Sequence, residues 1–378
     1  MNGFGTAEFQ HRLARAQSAM ATQGHAALLL TTEADVRYLT GFLTRFWESP
    51  TRPWFVIVPA QGDVIAVIPS IGAALMAQTW VRDIRTWRAP NPGDDGVTLL
   101  HDTLHEVAGR AGPIAVPMGL ESHLRMPLQD WTALQQGLIF TDDGGLMRDL
   151  RAIKSDAEVA KIETACAIAG RAFSRVSEIA RGGVALDQVF RDFQRLALEE
   201  GADWVPYLAG GADQDGYGDV ISPASTRALA TGDVLMLDTG LVHDGYFCDF
   251  DRNFALGRPS QAVQNAYHAL IDAVDRAAEV ARPGATAADL FHVMDGVLSG
   301  GGEAGRLGHG LGLQLTEGLS LIPQDLTELR PGMVLTLEPG IEVVPGKIMV
   351  HEENIVITQG APRFLSPRAP RDIPQLKV

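Results

Sequence analysis

Cysteine is nearly absent. The two thiols in 378 residues, Cys166 and Cys248, are too few for a disulfide framework and lack the CxxC spacing of a zinc or redox site. A cytoplasmic protein is therefore expected. No run of Lys or Arg is present that could track phosphates, and 46 acidic against 31 basic residues leave a net charge of −15. Nucleic acid and anionic membrane are thus not expected as partners. Long apolar runs are missing too: stretches such as Ala26 to Leu30 and Val234 to Leu237 fall far short of the roughly 18 residues a membrane span needs. At the N-terminus, Phe9, Leu13 and Met20 are interleaved with Glu8, Arg12, Arg15 and Gln17, the pattern of an amphipathic helix and not of an export signal. No repeat or low-complexity tract is visible, which sets solenoids and propellers aside.

What is present suits a globular protein of about two domains, with 46% apolar and 20% charged residues. From Ala26 to about Thr141 short strands alternate with helices; Trp54 to Pro59 and Val64 to Ile68 flank a Gln61-Gly62-Asp63 turn as a hairpin. This part reads as an α/β domain. The polar stretch from Asp142 to Gly145 and the charged segment Arg148 to Lys154 then lead into the capping box of Ser155 and Glu158. A boundary near residue 150 divides domain 1–150 from domain 151–378. Behind the cap, Val159, Ile162, Cys166, Ala169, Phe173 and Val176 recur at helical spacing, with Gly182-Gly183 as a stop. Further amphipathic helices are expected over Ala185 to Glu200, over Ser260 to Ala281 and behind the Thr286 cap.

Between these helices lie two acidic hairpins. In GDVLMLDTGLVHDGYFCDFDRNF, a turn centred on His243-Asp244 sets Asp238 opposite Asp249. In LTLEPGIEVVPGKIMVHEENIVIT, a turn at Pro345-Gly346 sets Glu338 opposite Glu352, unless Pro339 and Gly340 introduce a bulge. Directly opposed residues have Cβ atoms about 4.5–5.5 Å apart, so each pair crowds two anions on one face. Any one such acid reads most simply as an exposed turn residue, and a lone histidine as a surface or core residue. Four acids together need a counter-charge, and GRLGHGLGLQ, between the hairpins, offers His309 among glycines. Carboxylates with one imidazole suit two divalent ions, Mn²⁺, Co²⁺, Fe²⁺ or Zn²⁺, that neutralise the acids, share a hydroxide as nucleophile and polarise the bond under attack.

The motifs DTGLVHDGYFCDFDRNF, GHGLGLQ, LEPG and HEENIVIT, with gaps of 11, 60, 29 and 14 residues between the five candidate ligands, resemble those of the pita-bread metallopeptidases. That family includes methionine aminopeptidase, prolidase and aminopeptidase P, together with creatinase. TTEADVRYLTGF and LRAIKSDAEVAKI resemble the creatinase/prolidase N-terminal domain and its linker. The resemblance implies an α/β creatinase-like N-terminal domain followed by an α+β pita-bread catalytic domain. It implies that Asp238 binds one metal, that His309 and Glu338 bind the other, and that Asp249 and Glu352 bridge them. Glu338 would also carry the proton from the bridging water to the leaving nitrogen. The activity implied is cleavage of an amide or related C–N bond in a short peptide or other small substrate by a metal-bound hydroxide, although creatinase works without metal.

Three positions depart from the peptidase pattern. The histidine seven residues after the metal-binding one is replaced by Thr316, the one 17 residues before the first Asp by Ile221, and the Arg two residues before the last Glu by Val350. GHGLGLQLTE and LSPRAPRDIP instead suggest a small-solute branch similar to ectoine hydrolases, with dimethylsulfoniopropionate lyases more distant. A binding protein that keeps the fold without turnover is the alternative from another class. The substrate-contact candidates are Trp47, Arg52, Trp54, Tyr207, Tyr217, Thr316 and Glu317. Of these, Trp47, Arg52 and Trp54 lie in RFWESPTRPWF, which reads either as a loop packed on its own domain or, as the resemblance implies, as a wall over the partner's site in a homodimer. Tyr207 and Tyr217, with Asp213 and Asp215, fall in a Gly-rich segment that lines the pocket entrance or is plain surface. His351 and Cys248 are expected to face away from the metals.

Overall fold

A computed structural model describes residues 3–48, 53–298 and 305–378. Arg52 lies outside the described residues. By its internal contacts the chain forms two compact units, one ending at Arg151 and one spanning Ala152–Val378.

In the first unit, β1 (Ala27–Leu30), β2 (Phe55–Pro59), β3 (Ile65–Pro69), β4 (Asp83–Trp87), β5 (Pro113–Val116) and β6 (Ile139–Asp142) form one mixed sheet in the order β4-β3-β2-β1-β5-β6. The β2–β3 hairpin pairs Phe55 with Val67 across Gly62, whose φ of 93° only glycine tolerates easily. Leu29, Ile57, Val67 and Ile114 pack on Leu100 and Leu104 of the helix Val97–Ala108. The N-terminal helix Thr6–Gln23 buries Phe9, Leu13 and Met20 as its spacing predicts, and also Arg12.

The aromatic loop of this unit turns inward. Trp54 is 2% exposed and Trp47 8%, with ring centroids 6.1 Å apart; Trp54 also meets Phe42 at 5.2 Å. Arg125 stacks over Trp47 at 5.2 Å and donates to its carbonyl at 2.7 Å. Of the two readings of this loop, packing on its own domain accounts for Trp47 and Trp54, whose rings are covered within their own unit.

The second unit opens on the helix Asp156–Ser174, whose capping box is complete at Ser155 and Glu158. The helix ends eight residues before Gly182, with a short turn Val176–Ile179 after it. The helices Leu186–Glu199, Gln261–Val280 and Ala287–Val297 follow their predicted spans, the last two capped by Ser260 and Thr286. Strands β7 (Trp204–Gln214), β8 (Asp233–His243), β9 (Tyr246–Phe247) and β10 (Phe250–Leu256) join β17 (Gln375–Leu376) in the order β17-β10-β8-β7, with β9 on β8. A second sheet runs β11-β12-β15-β16 from β11 (Gly308–Gly310), β12 (Val334–Leu337), β15 (Glu353–Val356) and β16 (Arg363–Phe364), and β13 (Gly340–Val344) pairs with β14 (Lys347–Val350). Met236, Leu335, Leu337 and Ile355 from these sheets share one core with Tyr267, Leu270 and Val274. Among the described residues no helix is long and apolar enough to cross a membrane.

Candidate metal centre

The first acidic hairpin turns one residue later than expected. Asp244 and Gly245 both take positive φ, 46° and 82°, the Asp-Gly pattern of a type I′ turn. The register therefore places Asp238 opposite Asp251, not Asp249. Asp249 falls in the break between β9 and β10 and reaches Asp238 as a diagonal neighbour. The second hairpin has the expected register on both sides of its acids, Leu337 opposite Glu353 and Gly340 opposite Val350, and departs from it only next to the turn, where Val344 pairs with Lys347. His351 N donates to Pro339 O at 3.1 Å in the gap between them, so Glu338 and Glu352 stand at that gap. The irregularity lies at Glu342/Val344, nearer the turn than Pro339-Gly340.

The two hairpins bring Asp238, Asp249 and Glu352 together, all buried, with one oxygen of each within 4.8 Å of the others. His309 joins from β11, where a side chain at Gly308 would strike Thr336 O at 2.2 Å and one at Gly310 would strike Glu317 O at 2.1 Å. These glycines let the neighbouring backbone close around the imidazole. His309 Nδ1 lies 3.0 Å from Gly310 O; a carbonyl can only accept, so Nδ1 carries a proton, and Nε2 is the ring nitrogen that could ligate a metal. Nε2 is 3.3 Å from Asp249 Oδ2 and 3.9 Å from Glu338 Oε2. The Glu338 side chain is 28% exposed, the most accessible acid of the group.

Burial, and after it the charges of the neighbouring acids, pushes the carboxyls of Asp238, Asp249 and Glu352 well above their ordinary range. At Asp249 the Arg306 guanidinium opposes that rise. Asp238 Oδ1 and Glu352 Oε2 are buried without a hydrogen-bond donor. Acceptors that lack donors, acids that cannot all ionise beside one another, and an imidazole nitrogen aimed among them are the donor set a divalent cation satisfies. The residues fit a metal centre.

Of the substrate candidates, Tyr207 stands at the cluster: burial and the charges of Asp238 and Glu352 drive its phenol upward. Thr316 Oγ1 accepts from Arg306 at 3.2 Å. Tyr217 lies elsewhere, 1% exposed, its hydroxyl 3.3 Å from Asn253 Oδ1 and receiving Val350 N at 2.7 Å; it pins the β13–β14 hairpin and lines no entrance. Glu317 is a loop clamp, bound to Lys154 Nζ at 2.8 Å with both side chains buried. Asp213 pairs with Lys347 and Arg227, and Ile221 is 82% exposed. Cys248 and His351 are fully buried.

Sequence reasoning missed the supports. Asp251 accepts Glu352 N at 2.8 Å and meets His351 Nδ1 at 3.2 Å, and Arg252 Nη1 donates to Glu352 O at 3.1 Å. Burial alone would lower the His351 imidazole, but hydrogen bonds to Asp251 and Glu353 outweigh it and raise the group. The period-two spacing of Asp249 and Asp251 was a signal that both acids share a face.

The profile of metallopeptidase family M24 matches residues 160–359, and that of the creatinase/prolidase N-terminal domain matches residues 12–153. The chain belongs to metallopeptidase family M24. Among its M24 relatives, the probable dipeptidase PepE of Mycobacterium tuberculosis is 30% identical over 358 residues, 92% of each chain. The Xaa-Pro dipeptidase of Pyrococcus horikoshii is 31% identical over 227 residues, 58% of this chain and 64% of that one. The crystal structure of dipeptidase PepE from Mycobacterium ulcerans superposes with a TM-score of 0.85 at 29% identity, covering 99% of this chain and 100% of that one. Prolidase from Thermococcus sibiricus shares the fold, with a TM-score of 0.87 at 22% identity and coverage of 99% and 100%. The fold is thus the creatinase-type N-terminal domain followed by the pita-bread domain of the prolidases, and the M24 chain is a metal-dependent, peptidase-like hydrolase.

Proposed function

We propose that this chain is a dinuclear metallohydrolase that cleaves the amide bond of a short peptide, of the dipeptide or Xaa-Pro class. The observation that carries the reading is the convergence of buried Asp238, Asp249 and Glu352, with His309 Nε2 3.3 Å from Asp249 Oδ2 and 3.9 Å from Glu338 Oε2. Asp238 would hold one ion, His309 and Glu338 the other, with Asp249 and Glu352 shared; Mn²⁺, Co²⁺, Fe²⁺ and Zn²⁺ all suit this donor set. When bound, such ions supply Lewis acidity that activates water at neutral pH and offset the charge of the cluster. Glu338, at the accessible edge, takes the proton of the attacking water and delivers it to the leaving nitrogen. Tyr207, beside Asp238, orients that carboxylate and flanks the substrate.

The relatives named as dipeptidases support the peptide reading. The exposed Ile221, and Thr316 engaged by Arg306, favour a second one in which the same machinery acts on a small solute such as ectoine, dimethylsulfoniopropionate or an N-acyl amino acid. A panel of Xaa-Pro and other dipeptides, N-acetylated amino acids, ectoine and dimethylsulfoniopropionate, assayed with Mn²⁺ and with Zn²⁺, separates them. Dipeptide turnover that chelator abolishes is the expected result; turnover of the solutes alone selects the second reading, and turnover of nothing favours a binding protein.

A homodimer and a cytoplasmic location complete the proposal. The first rests on the family resemblance, since Trp47 and Trp54 are covered within their own unit, and the second on two free, buried thiols. Sedimentation at micromolar concentration tests the dimer: a fully active monomer contradicts it.

A further inference from the structure

Pairing with β8 keeps one register on both sides of Asp249, with Cys248 N donating to Leu241 O at 3.0 Å between them, so the N–H and C=O of Asp249 point away from β8, as those of every second residue in an antiparallel pair do. A buried peptide group must find partners elsewhere, and here one side chain supplies both. Asn354 Oδ1 accepts from Asp249 N at 3.0 Å, and Asn354 Nδ2 donates to Asp249 O at 2.5 Å. The amide stands in for a neighbouring strand. Its orientation is fixed by the chemistry of its partners, because the peptide N–H can only donate and the carbonyl only accept. Cys166 Sγ, 3.3 Å from the same Oδ1, and Thr336 Oγ1, donating to Asp249 O at 3.1 Å, complete the cluster.

Asn354 is itself held firmly. It is fully buried, sits opposite Thr336 on β12, donates its own N–H to Ser366 Oγ at 2.9 Å, and lies two residues beyond Glu352 on the same run of chain. One amide therefore ties the Asp238/Asp249 hairpin to the Glu338/Glu352 hairpin at the edge that Asp249 turns away from β8.

We propose that Asn354 is the positioning residue that sets the Asp249 carboxylate between the two hairpins, so that one divalent-ion centre is built from both. The inference rests on the reading of Asp249 and Glu352 as shared metal ligands. Without the Asn354 amide, the Thr336 hydroxyl would still hold the Asp249 carbonyl but would leave the Asp249 N–H without the acceptor that Asn354 Oδ1 supplies.

The test is Mn²⁺ binding by titration calorimetry on the full chain, with circular dichroism to verify folding, for wild type, Asn354→Ala and Asn354→Thr. Removing an outer support of a metal ligand weakens the ion by roughly 10–100-fold, and that loss is expected in Asn354→Ala. Asn354→Thr, whose single oxygen sits one bond closer to the backbone than the two amide atoms and so cannot reproduce their fork, should lie between alanine and wild type, and it serves alone if the alanine chain does not fold. Once turnover is measurable, kcat should fall with the metal affinity while KM changes little. A purely structural role predicts a lower Tm with wild-type Mn²⁺ affinity in the folded variants, and that result overturns the assignment alone. A wild-type chain without Mn²⁺ affinity overturns the functional reading and the assignment with it.

Discussion

Asp249→Asn should stabilise the metal-free protein while removing its response to metal. Oxygens of Asp238, Asp249 and Glu352 lie within 4.8 Å of one another, so each ionised pair repels by about 3.5 kcal/mol at an effective dielectric constant of about 20. Three such pairs come to about 10 kcal/mol, comparable with the whole stability of a domain. Without metal the cluster therefore holds protons, which is the sense in which all three carboxyls are displaced upward. The amide isostere removes two of the three repulsions, and its NH₂ can donate to His309 Nε2, 3.3 Å from the present oxygen.

Protonation already relieves part of the strain in wild type, so the gain should be on the order of 1–3 kcal/mol at pH 7, or roughly 3–10 °C in Tm for a unit of this size. The pH dependence has a definite sign. A carboxyl whose folded pKa lies above its unfolded value contributes stability below the unfolded value, and that contribution disappears as pH rises through the folded value. Metal-free wild type should thus lose stability from about pH 4 upward, and the advantage of Asp249→Asn should widen between pH 5 and pH 8. Thermal melts in chelator at both pH values, repeated with excess Mn²⁺, provide the assay. Wild type should gain from Mn²⁺ by mass action and the variant should not. A variant that melts below wild type in chelator at both pH values would mean that charge repulsion does not strain the metal-free cluster.

Glu338→Gln keeps the shape of the accessible acid but removes its proton-carrying capacity, so turnover of the preferred substrate should fall by about 10²–10⁴-fold, measured at saturating Mn²⁺. Lys154→Met leaves the buried Glu317 carboxylate without its cation and should cost about 3–5 kcal/mol in urea denaturation, with Lys154→Met/Glu317→Leu recovering much of it. Trp47→Ala should destabilise the first unit by about 3 kcal/mol and leave the sedimentation coefficient of the folded protein unchanged, since Trp47 packs on Trp54 within that unit.

Much of this was legible because the signals are local. The Ser155 and Thr286 boxes announce helix starts, and the register expected for the second hairpin holds on both sides of the gap containing Glu338 and Glu352, although it is reached only through the irregularity at Glu342/Val344. The first hairpin departs from its expected register because Asp244-Gly245, the local pair that fixes a two-residue turn, sets the turn one residue later than His243-Asp244. Trp47 and Trp54 illustrate a different limit: aromatic residues next to arginine look alike in sequence whether they bury in their own domain or against another chain. Tyr207 and Tyr217 are ten residues apart in one Gly-rich stretch, yet one flanks the cluster and the other is sealed beneath β14, a difference set by the bridge between Tyr217 and Ile348. Asn354 was illegible for a plainer reason: the backbone it supports is 105 residues away.

Whether five side chains on two hairpins and one glycine-flanked strand hold a catalytic pair of divalent ions is decided by counting metal. Elemental analysis of protein purified without chelator, paired with dipeptide turnover on the same sample, should find close to two divalent ions per chain in wild type. Asp249→Ala, folded by circular dichroism, should lose both the ions and the turnover. Full turnover by wild-type protein that carries no metal would contradict the account.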